Sequence, residues 1–112
     1  MLTNNRLCEM ALELPATERG TAWGQPVVKV AKKSLFFWNP KYGPVFNMDF
    51  ETRDFWLEVD PDTFFTTDHH RNSPCVLARP ERVSEDWVRE RLKDSWRRNA
   101  PKTLQKEWEG RL

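Results

Sequence analysis

The sequence predicts an α+β fold, an antiparallel sheet with helices packed on one face, in the order α-β-β-β-α-β-α-α. Three observations carry that prediction. Ser84 to Pro101 keeps a helical spacing of apolar residues, Val28 to Phe50 contains short runs of period-two alternation, and Cys75 to Ala78 is an unbroken apolar run bounded by Pro74 and Arg79-Pro80. There is no internal repeat and no low-complexity linker, so residues 1–112 are expected to form one domain. A chain of that size can bury about two-thirds of its unfolded surface, enough for one core.

Taken in order, Thr3 to Leu14 is the first expected helix. Thr3 caps it, Leu2 and Leu7 staple it, Leu7, Met10, Ala11 and Leu14 make its apolar stripe, and Pro15 stops it. A turn-rich connector over 16–26 follows. Within it Trp23-Gly24-Gln25-Pro26 reads as a corner: Gly24 allows a positive φ, Pro26 leads into a strand, and Trp23 plugs the edge of the core. Val28 and Val30 alternate with an outward Lys29. Lys32-Lys33 is the expected turn, and because neither residue favours positive φ a loop longer than two residues is the alternative. Ser34 to Trp38 is a β-prone run with two apolar faces, and Asn39, Pro40 and Gly43 supply the next turn. Phe46, Met48 and Phe50 then alternate with Val45, Asn47 and Asp49 as a one-sided strand.

Thr52 to Val59 is expected to be a short helix with Phe55, Trp56 and Val59 on its inward side, ended by Asp60-Pro61, and a brief strand can follow near Phe64. In the long helix Ser84 is the cap, Val83 and Val88 the staple, and Val88, Leu92 and Trp96 the stripe, with Ser95 and Asn99 alongside. Pro101 ends it, and Lys102 to Glu109 restarts as a shorter helix with Leu104 and Trp108 inward and Gly110 as the stop.

Composition narrows function mainly by exclusion. A net charge of +1 with 31% charged residues gives no global cationic field. Cys8 and Cys75 stand alone in apolar contexts, which suits two buried thiols in a reducing compartment. No basic-then-apolar leader and no membrane-length apolar run is present, so the expected location is the cytoplasm, without membrane partners.

Several pieces taken together resemble the MmcQ/YjbR group of small bacterial proteins: LELPATERGTAWGQPVVKV, DPDTFFTTDHHRNSPCVLARPERV and SWRRNAPKTL. The most telling are Trp23-Gly24-Gln25-Pro26, the Asp60-Pro61 corner with Phe64-Phe65, His70-Arg71 ahead of an apolar strand, and Ala100-Pro101-Lys102. The resemblance spans nearly the whole chain. It implies a compact α+β fold similar to that of the frataxin-like proteins, and the DNA-binding label attached to a double-wing arrangement of β-hairpins. The sequence departs from the group at Asn72, Ser73 and Cys75, where glycine and a bulky aromatic are common, and at Lys32-Lys33, where the turn lacks glycine but is more cationic.

Candidate site residues follow from both sources. Lys29, Lys32, Lys33 and Lys41 lie among Phe36, Trp38 and Tyr42, and cations interleaved with aromatics suit nucleic acid; the plainer reading is an edge hairpin whose lysines block aggregation. With Arg71 and Arg79 these lysines make the expected DNA contacts. Trp23, Trp38 and His70 are the candidate groove residues. On the long helix, Arg89, Lys93, Arg97, Arg91 and Arg98 could face phosphate, but Glu85, Glu90 and Asp94 stand three or four residues before Arg89, Lys93, Arg97 and Arg98 and should neutralise much of the row. Asp68, His69, His70 and Cys75 fall short of a zinc set, and Asp60 and Asp62 read as turn residues, so no catalytic residue, metal or cofactor is expected. His70 and Arg71 are expected to tie their loop to the sheet. The alternative function is a protein-interaction or small-ligand module using the two-faced strand Ser34 to Trp38, and on either reading the chain is expected to be a monomer or a weak homodimer.

Overall fold

Three helices begin where a side chain supplies the acceptor that no helical carbonyl can reach. In the computed structural model, which describes residues 1–108, Thr3, Asp49 and Ser84 accept the backbone N–H of Arg6, Thr52 and Trp87. They open α1 (Asn4–Ala11), α2 (Phe50–Val59) and α3 (Glu85–Asn99). A fourth, α4 (Lys102–Glu107), starts directly after Pro101, and the expected stop at Gly110 lies outside the described residues. The first helix is shorter than expected, since residues 12–15 turn instead, and Thr17 Oγ1 donates to the Leu14 carbonyl. The second starts two residues early, because Asp49 is its cap and not a strand residue.

The strands divide into two antiparallel sheets where one was expected. β1 (Thr17–Ala22), β2 (Gln25–Val30) and β3 (Lys33–Ser34) form a three-stranded meander, which we call the wing. β4 (Phe37–Asn39), β5 (Gly43–Asn47), β6 (Phe64–Phe65) and β7 (Cys75–Ala78) form the main sheet in the order β4-β5-β7-β6. β1 corrects the connector expected over 16–26. Its polar residues carry no alternation signal, yet all six pair in register with β2, so the ladder and not burial makes it a strand. The run expected as one strand from Ser34 to Trp38 breaks at Leu35-Phe36. Both side chains are buried, and the chain passes from the wing to the main sheet at that point.

Both wing turns are two-residue loops with positive φ throughout: Trp23 and Gly24 at 52° and 77°, Ala31 and Lys32 at 48° and 68°. The second turn is therefore Ala31-Lys32, and Lys33 belongs to β3. Left-handed backbone costs a non-glycine residue roughly 1–2 kcal/mol. Lys32→Gly is thus expected to stabilise the protein by up to about 1 kcal/mol after glycine's looser unfolded state is counted, read as a higher urea midpoint at unchanged slope.

The main sheet separates two clusters of unequal size. Its inner face carries Trp38 on β4, Phe46 on β5, Val76 and Ala78 on β7, and Phe64 on β6. That face meets Leu7 and Met10 of α1, Trp56 and Leu57 of α2, Val88, Leu92 and Trp96 of α3, and Leu104 and Trp108 from the last stretch. The helices therefore gather on one face, as expected for this α+β fold. Two details differ. β5 is apolar on both faces, with Val45 and Phe46 each buried, and α2 turns Phe55 and Val59 outward, 54% and 57% exposed, keeping Trp56 inward against Phe64 and Trp87.

Candidate nucleic-acid interface

The outer face of the main sheet follows from the register. Phe37 pairs with Val45, Val45 with Leu77, and Leu77 with Phe65, so these four side chains make one row across all four strands. Cys75, next to the row, and the flanking Tyr42 complete a small cluster to which no helix contributes. Its cover comes from turns and loops. Trp23 stacks on Phe37 with centroids 4.5 Å apart and planes 19° from parallel, and Tyr42 meets Phe65 edge-on at 6.0 Å. Cations sit over two of these rings: Lys41 Nζ at 5.1 Å from Tyr42, and the Arg79 guanidinium at 4.6 Å from Phe65. A groove of about 320 Å³ lies between the Trp23 turn and the loop over 68–74, with Asn47, His69, His70 and Cys75 among its lining residues.

Trp23, Lys41, Arg79 and His70 thus come together around this face. Trp23 does not plug the core edge as expected; it is 77% exposed, because the left-handed turn holds it out over β4. Trp38 is on the opposite face of β4 from Phe37 and packs into the helical core, and Phe36 is buried, so neither offers a ring to a ligand. His70 is buried and its Nδ1 lies 2.7 Å from Thr67 Oγ1; burial holds its pKa below the usual histidine value. Burial also raises the thiol pKa of Cys8 and Cys75, which disfavours the reactive thiolate. Among the described residues, no group of three His, Cys, Asp or Glu side chains is placed to hold a metal ion.

The wing lysines stand apart. The six residues of β2 separate the Trp23 turn from the Lys32 turn by roughly 20 Å. Lys29 lies across Gly20, where a Cβ would approach its Cε to 3.0 Å, and it stands opposite Glu18 on β1. Lys33 pairs with Val30 and so points to the other face of the wing, with Lys32 at the tip between them. Among the described residues, no carboxylate comes within 4.0 Å of the ammonium of Lys29, Lys32, Lys33 or Lys41.

The arginines behave differently. Arg71 is paired with Asp68 inside its own loop, and Arg79 donates to the carbonyls of Pro61 and Asp62 at 3.3 and 3.2 Å. It is Arg53, and not the Arg71 side chain, that ties the 68–74 loop down, donating to the Arg71 carbonyl at 2.7 Å. No local pattern marks Arg53, since that acceptor lies 18 residues away. On α3 the expected pairings form for Arg89 with Glu85 at 3.7 Å, Lys93 with Glu90 at 3.5 Å and Arg97 with Asp94 at 3.4 Å. Arg98 departs from the pattern and donates to the Asn47 carbonyl at 2.7 Å, fastening α3 to β5.

A protein-family model, YjbR, matches residues 12–98. The chain belongs to the YjbR family. Neither the curated proteins nor the solved structures include a significant match. The matched span of this YjbR chain includes the Trp23-Gly24-Gln25-Pro26 turn, both sheets and nearly all of α3, whereas Ala100-Pro101-Lys102 lies beyond it. YjbR is not known as an enzyme family. No helix among the described residues is long and apolar enough to cross a membrane.

Proposed function

We propose that this YjbR-family protein binds nucleic acid weakly and with little sequence readout, using the wing lysines Lys29, Lys32 and Lys33 together with Lys41. The observation that supports this reading is the contrast in pairing. Most cations of α3 are held by carboxylates on the same helix, while these four lysines have none within 4.0 Å among the described residues. Phosphate contact then displaces only water and counterions, without breaking an existing ion pair. Arg79, over Phe65, adds a further cation beside Lys41 over Tyr42, and Arg71 would exchange Asp68 for phosphate. The left-handed backbone at Lys32 fits the same reading, since strained backbone conformations cluster at ligand-binding and switch sites.

Fluorescence anisotropy of labelled duplex and single-stranded DNA at two salt concentrations tests it. If the four lysines each neutralise a phosphate, log K should fall with log salt at a slope of about −3.6 on duplex. The double variant Lys32→Gly/Lys33→Gln should flatten that slope by about 1.8, although Lys32→Gly by itself stabilises the fold. Absence of binding at low salt, or binding without a salt slope, rejects the proposal.

A further inference from the structure

We infer that the groove beside Trp23 receives one unpaired base of a single strand, which gives the protein a preference for single-stranded over duplex nucleic acid. This inference rests on the nucleic-acid reading above and names the part of the ligand that the groove takes. Trp23 is the starting point. A large apolar side chain is held 77% exposed by a backbone at φ 52°, a conformation that costs a tryptophan free energy and buries little of its surface. Its ring is kept flat by Phe37, and both rings line the groove, so the pair forms a rigid aromatic platform.

The remaining lining decides the class of occupant. The side chains of Asn47, Ser73 and His69 make no hydrogen bond to protein among the described residues, and all three are exposed where they line the groove. An aliphatic anchor would strand those polar groups, whereas a nucleobase has one stacking face and a polar edge that can use them. The volume of about 320 Å³ is room for one such ring system, not for a duplex. Lys41 over Tyr42 and Arg79 over Phe65 lie together at the other end of the same outer cluster and provide positive charge for the strand where it leads away from the base. A duplex keeps its bases stacked inside and cannot use the groove, so it is left with the lysines alone.

The full chain should be titrated at low salt with labelled oligodeoxythymidylate and with a duplex of the same length, in the unsubstituted form and as Trp23→Ala and Trp23→Phe. Stacking on an aromatic side chain is worth a factor of about 10 to 100 in affinity. Trp23→Ala is therefore expected to weaken single-strand binding by that factor and to change duplex binding less than about twofold, with Trp23→Phe retaining most of the affinity. Thermal unfolding of each variant shows whether it is folded. Should the alanine variant fail to fold, tryptophan emission of the unsubstituted protein decides: quenching by the single strand and not by the duplex supports the inference, and equal responses overturn it. Unchanged single-strand affinity in a folded Trp23→Ala overturns the base groove and leaves the lysine reading standing. If neither polymer binds, the nucleic-acid reading itself falls, and the base groove with it.

Discussion

Trp96→Ala is expected to lower the unfolding free energy by about 3–5 kcal/mol, the range for removing a large buried aromatic side chain. Trp96 is 1% exposed on the inward stripe of α3, and its indole Nε1 donates to the Pro15 carbonyl at 2.8 Å. That bond fastens the turn after α1 to the long helix, so the variant loses both packing and a long-range tie. Urea denaturation should show the fall as a lower midpoint. Trp96→Phe separates the two contributions, since it keeps a ring in the core but leaves the Pro15 carbonyl without its donor, at about 1–3 kcal/mol. Equal losses for the two variants would mean that the hydrogen bond, not the packed volume, governs this position.

Gly43→Ala is the second large effect. Gly43 has φ 92° and pairs with Asn39 at the end of the β4–β5 hairpin. A Cβ there would come 2.9 Å from Pro80 Cγ and 3.4 Å from Pro80 Cδ. The left-handed backbone accounts for roughly 1–2 kcal/mol and the contact with a stiff proline ring for a further ~1 kcal/mol or more. The expected loss is about 2–3 kcal/mol by urea denaturation. Gly24→Ala is the internal control, because Gly24 has φ 77° but nothing within 4 Å of its Cβ position, so it should lose only the backbone part. If both substitutions destabilise equally, the contact with Pro80 contributes nothing.

Much of the candidate site was legible as residue types and little of it as geometry. The lysines near the first hairpin and the Trp23-Gly24 turn stood out because charge, ring and glycine are visible one residue at a time. That Trp23 faces solvent above Phe37 was not visible, since an exposed and a buried tryptophan have the same neighbours in sequence. The balance on α3 could be anticipated, because its ion pairs are three and four residues apart. The local signal for Arg98 pointed to Asp94, but a carbonyl 51 residues away took it instead.

The sequence by itself determined the helices, the apolar β-runs and the family. Caps, staples and prolines act within three or four residues, so Thr3, Ser84 and Pro101 set helix ends without reference to the rest of the chain. Only the tertiary structure decided that 17–22 is a strand, that the run after Lys33 divides between two sheets, and that one face of the main sheet is left to turns and loops rather than helices. Those outcomes depend on backbone ladders, and the packing on backbone carbonyls supplied by distant segments, up to 81 residues apart in the case of Trp96 and Pro15. No periodicity in the chain encodes which partner arrives.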